Sequence, residues 1–552
     1  MTRNTTPGAL PTSSSAILSE LIGIRNPDSV VMGAGFSGMA AAIQLKRHFG
    51  LEDVLVYEKT DDIGGTWNVN RFAGAASDIP MSLYSFSFYP AYRVKSDWTS
   101  QQQIHEYLYE VRDHYQLYNV VYRTAVQEAR FSRDDGLWHL QVLDVETGLV
   151  RLRTCNILFA CLGGLTVPQD PPFDPKAFRG DVFHTARWPK EYSLDGKDVV
   201  VVGNGCTAAQ VVPAISDSVN SVTQVARSRQ AYLPRPPIPS SPLLRFLVAY
   251  VWGVGWLIRT AIFFFAEQGF IASDITKGVK ERARLSRVIT SYIKKGAPKR
   301  YWSALEPDHE VSAKRRVYDM GYIAVLNKPN VELISDDAVV RAEADKVYTK
   351  NGREVRADVV VLATGFKVRD YMFPLQVFNS EGEALQDRMN ATGSKVYQGT
   401  VVSAFPNFFW LMGPNTTTGH SSVVFTSECQ LSLAFHMLRP VLEALAPGPK
   451  RGAPRLPTSP IASSSGPVPY VEVTPDAEAA QYAELRKEMR NKTWETNGGV
   501  SWYTDKQSGL CTALYPWSQV HFWRKATFPD YAAFRWSHCA PGSTWRSWLG
   551  WY

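Results

Sequence analysis

The chain has 552 residues, a length that corresponds to three or four domains and leaves enough residues for well-buried cores. Hydrophobic residues make up 45% and charged residues 20%, a composition that excludes a disordered, collagen-like or coiled-coil protein. The net charge of +7 is small for this length, so it favours an anionic cofactor over the clustered basic surface typical of nucleic-acid binding.

Cysteine usage and the N-terminus point to a cytoplasmic protein. The six cysteines include no CxxC pair, so we predict neither a metal site nor a redox-active dithiol. Sparse cysteines are typical of proteins from reducing compartments. Residues 1–26 are predicted to form a flexible N-terminus. The Thr- and Ser-rich start of this segment lacks the apolar core of a signal peptide, so secretion is not expected.

The first dinucleotide-type pattern follows a short apolar strand predicted at residues 30–32. The glycines of a GxGxxG turn lie between this strand and an apolar helix: Gly33, Gly35 and Gly38. Such a turn brings backbone N–H groups and a helix N-terminus against a pyrophosphate. Glu58 ends the next strand, about 20 residues beyond the last glycine, where a carboxylate can bind a ribose hydroxyl. The pattern therefore predicts a dinucleotide site.

A second copy of this pattern follows a strand predicted at residues 199–202. Its turn is GNGCTA, and its candidate cofactor-binding positions are Gly203, Gly205, Thr207 and Ala208. After the next strand, at residues 222–225, Arg227 and Arg229 stand where the first copy has Glu58. An acid there suits a free ribose hydroxyl and a base suits a 2′-phosphate, so we predict FAD in the first fold and NADPH in the second. The alternative is that both arginines are solvated surface charges.

Two nucleotide folds in one chain predict hydride transfer from NADPH to flavin. A disulfide reductase would share this plan, but it needs a redox-active CxxC pair, which the sequence lacks. The reduced flavin must therefore pass its electrons to another acceptor, and molecular oxygen is the simplest one.

An apolar, aromatic-rich stretch at residues 246–266 is long enough to cross a bilayer. It contains Arg259, and a charge near the centre of a span costs about 2.5–3.5 kcal/mol. We therefore expect a buried or cavity-lining helical insertion. Weak association with a membrane surface is the alternative, and a true span is the least favoured.

A segment between the two folds matches every fixed position of a pattern, FxGxxxHxxxWP: Phe178, Gly180, His184, Trp188 and Pro189. This segment resembles the fingerprint of the Baeyer–Villiger monooxygenases, which belong with the flavin-containing monooxygenases to the class B flavoprotein monooxygenases. The resemblance covers about residues 27–535 and is closest to fungal secondary-metabolite members. It implies that the segment joins the two domains and couples their motion.

Further motifs agree with this resemblance. GGTW at residues 64–67, ATGF at residues 363–366 and SWY at residues 501–503 are similar to motifs of the family, whereas Ala73 stands where proline is usual. The resemblance implies cofactor contacts at the following positions: Lys59, Gly65, Thr66, Trp67, Asp78, Thr364 and Trp502.

The resemblance also assigns chemistry to residues 314–316. It implies that Arg315 is the catalytic arginine, that Lys314 binds the NADPH 2′-phosphate and that Asp78 orients Arg315. Members of the family usually carry proline or a small apolar residue after the Lys-Arg pair, so Arg316 is a departure that leaves the register open by one residue. A solvated run of basic residues is the alternative for this segment.

The chemistry implied by the resemblance is Baeyer–Villiger oxidation, in which a C4a-peroxyflavin formed from O₂ inserts one oxygen atom into a ketone. The product is an ester or lactone, and the expected substrate is a small lipophilic carbonyl compound of secondary metabolism, with residues 246–270 as a wall of its pocket. The alternatives are N- or S-oxygenation, hydroxylation or epoxidation by the same flavin, and a flavoprotein that no longer oxygenates. The Trp188-Pro189 ending and the Asp78/Arg315 pair favour the first.

The expected fold class is α/β, with two Rossmann-like domains, the NADPH domain being inserted into the FAD domain and carrying a helical insertion. The expected boundaries are 27–175 for the first part of the FAD-binding domain, 176–195 for the linker, 196–345 for the NADPH-binding domain with a helical insertion near 240–300, and 346–552 for the second part of the FAD-binding domain and the C-terminal region, with a flexible loop at 447–469.

Overall fold

The computed structural model describes residues 29–92, 98–238, 241–368, 370, 372–445, 468–496, 501–505 and 507–540. The predicted flexible N-terminus and nearly all of the predicted 447–469 loop lie outside the described residues.

The described chain contains the following strands in order: β1 Ser29–Met32, β2 Val54–Tyr57, β3 Val120–Val121, β4 Thr124–Ser132, β5 Leu137–Asp144, β6 Val150–Cys155, β7 Ile157–Ala160, β8 Asp181–His184, β9 Asp198–Val202, β10 Ser221–Ala226, β11 Tyr232–Leu233, β12 Val317–Tyr318, β13 Val331–Ser335, β14 Val339–Glu343, β15 Lys346–Thr349, β16 Glu354–Arg356, β17 Val359–Leu362, β18 Gln376–Phe378, β19 Phe408–Trp410, β20 Tyr470–Val473 and β21 Phe534–Ser537.

Its α-helices are the following: α1 Phe36–Phe49, α2 Thr66–Val69, α3 Gln101–His114, α4 Cys206–Ile215, α5 Pro242–Tyr250, α6 Val254–Gln268, α7 Val279–Gly296, α8 Trp302–Leu305, α9 Tyr322–Val325, α10 Leu385–Thr392, α11 Val423–Leu445, α12 Pro475–Met489 and α13 Gln519–Thr527. The strands predicted at residues 30–32, 54–57, 199–202 and 222–225 are confirmed.

The first sheet is parallel and has the strand order β19-β7-β1-β2-β3. Its central strand β1 is fully buried and pairs in register with β2 on one side and β7 on the other. Helices α1 and α11 cover one face, where their apolar side chains join one hydrophobic core. A strand that is buried on both faces is expected to have a continuous run of apolar residues, as residues 30–32 of β1 do.

The second sheet is also parallel, with the order β13-β10-β9-β17-β8. All its strands fall between two stretches that form the first sheet, so the second fold is inserted into the first. Two strands of this sheet lie outside the predicted NADPH-binding domain at 196–345. Strand β8 comes from the predicted linker at 176–195, and β17 lies beyond residue 345. The reason is that β17 pairs with β9 and β8 pairs with β17, long-range pairings that local sequence does not reveal.

Smaller sheets flank the two parallel ones. The sheet β18-β4-β5-β6 packs on the first fold, and the meander β14-β15-β16 belongs to the second. Two-stranded sheets join β11 to β12 and β20 to β21.

The predicted helical insertion is present, but its helices are not buried as expected. The apolar stretch divides into α5 and α6, and of these two helices only Gly255 is buried. Trp252, between them, is 98% exposed. The side chain of Arg259 contributes to this placement, because it donates hydrogen bonds to the carbonyl oxygens of Ser82 and Ser85 at 2.8 and 2.9 Å and so fixes which side of α6 faces the protein. Within the described residues, Val254–Ser273 is long and apolar enough to cross a membrane by length and composition alone.

Candidate active site

The first glycine turn connects β1 to α1. Gly33 has φ = +100°, and a Cβ added at Gly38 would lie only 1.8 Å from the Gly33 carbonyl oxygen. Gly35 is the N-cap residue of α1 and no side chain caps the helix, so its first N–H groups remain available to a ligand. This turn therefore has the close-packed backbone and the uncapped helix that a pyrophosphate requires.

Two further elements complete the first nucleotide site. Glu58 is buried after β2; one carboxylate oxygen accepts a hydrogen bond from the Ala34 N–H at 2.8 Å and the other from the Thr60 N–H at 2.9 Å. Gly65, which precedes α2, approaches Gly35 so closely that a Cβ on it would lie 2.9 Å from the Gly35 Cα. Glu58 is thus tied to the glycine turn, where a ribose would meet it, and these features fit FAD.

The predicted contacts around this site lie at different depths. Thr66 is partly buried in the first turn of α2, whereas Lys59 is exposed beside Glu58. The Trp67 indole N–H donates to the Tyr84 hydroxyl at 3.2 Å. Thr364 follows β17, and its buried hydroxyl has no hydrogen-bond partner among the described residues, as expected for a group that meets a ligand.

The second glycine turn connects β9 to α4 and repeats this arrangement with one difference. Gly203 has φ = +134°, and a Cβ there would lie 2.3 Å from the Ala363 carbonyl oxygen, whereas a Cβ at Gly205 would meet nothing within 4 Å. No side chain caps α4, whose first turn carries Thr207 and the buried Ala208. The open space at Gly205 and the uncapped helix fit the pyrophosphate of NADPH.

The three cations predicted to bind the 2′-phosphate are brought together after β10. Arg227 is exposed, Arg229 forms an ion pair with Asp336 at 2.9 Å, and the buried Lys314 ammonium donates to the Arg229 carbonyl oxygen at 3.3 Å. Burial lowers the pKa of Lys314, as does the positive charge of Arg227. Because Asp336 engages Arg229, Arg227 and Lys314 are the cations of this group that are left without an ion pair in the described chain.

Arg315 and Asp78 meet at the junction of the two folds. Asp78 belongs to the first fold and Arg315 to the second, and their side chains form an ion pair at 2.7 Å. Burial disfavours the charged guanidinium, but the Asp78 carboxylate and the Tyr503 hydroxyl outweigh this effect and raise the pKa of Arg315. Arg315 therefore keeps its positive charge, and its partner Asp78 fixes the orientation of the guanidinium.

Cys206 and Tyr503 are neighbours of Arg315 that sequence analysis did not assign to the site. Burial and the nearby Asp78 carboxylate raise the pKa of the Cys206 thiol to about 11, so this thiol is neutral. Tyr503 is fully enclosed, and Trp502, which contacts it edge-on at 4.7 Å, is 43% exposed. The SWY motif marked the segment, but no local pattern indicated that the Tyr503 hydroxyl is within electrostatic range of Arg315.

The fingerprint residues lie in and around the edge strand β8. Phe178 and His184 are buried, Trp188 contacts Phe183 edge-on at 5.1 Å, and Pro189 is exposed. A Cβ at Gly180 would lie 2.1 Å from the Asp358 carbonyl oxygen, which explains the glycine. Burial lowers the pKa of His184 to about 4, so its ring is neutral, and it contacts Phe366 of the ATGF motif at 5.5 Å. The segment thus contains β8, the edge strand that pairs with β17.

Comparisons with known proteins agree with this geometry. A model of the flavin-binding monooxygenase-like family matches residues 28–235. A Baeyer–Villiger monooxygenase of Pseudomonas aeruginosa is 30% identical over 506 residues, which cover 89% of this chain and 88% of that protein.

Two solved structures share the fold. Cyclohexanone monooxygenase from Rhodococcus bound to NADP⁺ superposes with a TM-score of 0.74 at 24% identity, covering 92% of this chain and 99% of that one. The enzyme OTEMO in complex with FAD and NADP also has a TM-score of 0.74, at 20% identity, with 93% and 100% covered. The predicted fold class is confirmed. The chain belongs to the flavin-binding monooxygenase family, of the Baeyer–Villiger type.

Proposed function

We propose that the enzyme converts a lipophilic ketone to an ester or lactone, with one oxygen atom taken from O₂, as a step of secondary metabolism in the cytoplasm. The observation that carries this proposal is the Arg315–Asp78 ion pair at the junction of the two nucleotide folds. A fixed positive charge at this junction suits a reaction in which negative charge develops on the substrate carbonyl oxygen.

The two cofactors would be held by separate parts of the chain. The first glycine turn, Glu58 and Gly65 would hold FAD, and the second glycine turn with Arg227 and Lys314 would hold NADPH. When bound, FAD reduced by NADPH supplies the activation of O₂.

Arg315 would bind the ketone oxygen and stabilise the negative charge that it acquires. The guanidinium is suited to this because it stays protonated and Asp78 holds it in one orientation, so little reorganisation is needed during the reaction. The pair is partly buried, with side chains 18% and 21% exposed, which strengthens this electrostatic contribution relative to a fully solvated pair.

The runner-up activity is N- or S-oxygenation, hydroxylation or epoxidation by the same flavin. The third alternative is that the chain is a flavoprotein that no longer oxygenates. The test is to supply purified protein with NADPH, O₂ and, in parallel, a lipophilic ketone, a sulfide and a tertiary amine, and to identify products by mass spectrometry. We expect ester or lactone from the ketone. Products from the sulfide or amine alone would favour the runner-up, and NADPH consumption without any product would contradict both.

Arg227 provides a test of the assigned coenzyme. We expect Arg227→Ala to lower kcat/KM for NADPH by about tenfold to a hundredfold, the loss of one charge-assisted contact, while NADH turnover stays unchanged. Steady-state NADPH and NADH oxidation would measure this, with exposed Arg341→Ala as the matched control. An equal loss with both coenzymes would contradict a role at the 2′-phosphate.

We also propose that α5 and α6 rest on a membrane surface. Large apolar side chains are exposed on both helices, Trp252 lies at their junction, and residues 241–266 contain no carboxylate. Trp and Tyr favour the headgroup region, and the exposed Arg245 favours anionic lipids. A span would require Arg259 to leave its carbonyl partners on Ser82 and Ser85, so we propose that the helices lie along the surface.

The expected result is that the enzyme cosediments with phosphatidylserine vesicles and that the double variant Trp252→Ser/Trp256→Ser remains in the supernatant with full FAD content. Trp523→Ser, which changes an exposed tryptophan elsewhere, is the control. Equal sedimentation of all three proteins would contradict the proposal.

A further inference from the structure

A cleft lies beside the Arg315 segment, and the two residues that flank Arg315, Lys314 and Arg316, line it. The lining also includes three aromatic side chains, Phe270, Trp494 and Tyr503. The cleft therefore combines cationic and apolar walls next to the proposed catalytic arginine.

The guanidinium of Arg316 lies at the end of the apolar helix α6. Its two terminal nitrogens are 3.6 and 3.8 Å from the position that a Cβ on Gly269 would occupy. Its positive charge reaches the His420 ring, where it adds to the lowering of the pKa by burial, and the Tyr503 hydroxyl, where it opposes the rise of the pKa that burial causes. Arg316 is thus a cation that faces the cleft, in contrast to Arg315, which faces Asp78.

Arg316 forms no ion pair among the residues that the structure describes, because the carboxylates near it already have partners. Glu281 accepts two hydrogen bonds from Arg284, at 2.6 and 2.8 Å. Glu267 bonds His420 at 2.6 Å through one oxygen and accepts the Gln519 N–H at 2.9 Å through the other.

The Glu267–His420 pair also fixes the shape of the cleft. Glu267 stands at the end of α6, His420 belongs to the loop before α11, and the other His420 nitrogen contacts the Thr418 hydroxyl at 3.0 Å. The His420 ring packs on Phe270 with 5.0 Å between the ring centroids. Phe270 is therefore held against the cleft by the buried Glu267–His420 pair, in which both Glu267 carboxylate oxygens already accept hydrogen bonds.

We propose that this cleft binds the anionic end of the substrate, so that the enzyme prefers a lipophilic ketone that carries a carboxylate. The carboxylate would bind the Arg316 guanidinium, whose planar donors match two carboxylate oxygens, and the apolar body of the substrate would pack on Phe270 and Trp494. A partly buried guanidinium without an ion pair is costly, and a ligand carboxylate compensates for it. The reaction at the ketone rests on the proposed function, whereas binding of the carboxylate does not.

The test compares para-acetylphenylacetic acid with its neutral methyl ester. For the wild-type enzyme we expect kcat/KM to be higher for the acid and to fall with ionic strength. Arg316→Gln should lower kcat/KM for the acid by about tenfold to a hundredfold and change that of the ester less than about threefold. Arg287→Gln, an exposed arginine on α7, is the matched control and should change neither.

Equilibrium binding of both compounds to the oxidised enzyme, measured by calorimetry, separates this proposal from the proposed function. If no ketone is oxidised but the acid binds through Arg316, the cleft assignment stands and the reaction assignment fails. Three results would overturn the cleft assignment: equal binding of acid and ester by the wild type, equal losses for both in Arg316→Gln, or a raised KM for NADPH in that variant, since this would make Arg316 a phosphate ligand of the coenzyme.

Discussion

Arg315→Ala should leave FAD bound and reducible by NADPH but reduce ester formation by at least about 10²–10³-fold. A loss of about 10²–10³-fold is typical for the removal of one donor that stabilises an oxyanion. The variant also leaves the partly buried Asp78 carboxylate at the fold junction without its partner at 2.7 Å, so the local geometry would relax as well. Bound FAD, the rate of flavin reduction and the amount of product should be measured on the same preparation.

Two further variants show whether the charge or the orientation of Arg315 is decisive. Asp78→Asn retains a side chain of similar size and a hydrogen bond to Arg315, so we expect a smaller loss of product than in Arg315→Ala. Exposed Arg179→Ala is the control and should behave as the wild type. Undiminished product from Arg315→Ala would refute the catalytic role, and loss of FAD from it would mean that the pair only supports the fold.

Gly38→Ala should give a protein that fails to bind FAD. The new Cβ would lie 1.8 Å from the Gly33 carbonyl oxygen and 3.3 Å from a Val31 methyl group, so α1 must move away from β1. This helix supplies the uncapped N-terminus of the first nucleotide site, and the displacement would open the turn. Absorbance at the flavin band per mole of protein, together with the thermal unfolding temperature, would measure the effect.

Gly205→Ala is the matched variant in the second turn, and its expected result is different. A Cβ there meets no protein atom within 4 Å, so the fold and the FAD content should be preserved. The same open space is where we expect the NADPH pyrophosphate to approach the backbone, so KM for NADPH should rise by about tenfold or more. Similar FAD content in Gly38→Ala and Gly205→Ala would contradict the assignment of FAD to the first turn.

The exposed helices α5 and α6 illustrate where sequence reasoning failed. The apolar composition of residues 246–266 predicted burial, but the position of a helix depends on which of its faces finds partners in the protein. Arg259, which from the sequence alone argued only against a span, holds α6 to Ser82 and Ser85 and thereby leaves its apolar face outward. Those two partners are remote in sequence, so no periodicity could indicate them.

The domain boundaries failed for a related reason. The segment with the FxGxxxHxxxWP pattern was predicted as a linker, yet Asp181–His184 forms the edge of the second sheet and pairs with Val359–Leu362. Pairing between strands that are distant in the chain depends on the completed sheet, and a four-residue strand has the same local pattern at an edge or in a loop.

The sequence by itself determined the two glycine turns with their strands and helices, and it determined the family. It also determined that Glu58 follows the second strand of the first nucleotide fold, whereas basic residues follow the corresponding strand of the second. These features are local, because each requires particular residue types at fixed spacing along one stretch of backbone. The tertiary structure alone decided that Arg315, not Arg316, meets Asp78, that Tyr503 comes within electrostatic range of Arg315, and that Glu267 pairs with His420. Each of these contacts joins segments separated by more than a hundred residues, and only the packing of the two folds against each other brings them within hydrogen-bonding or electrostatic range.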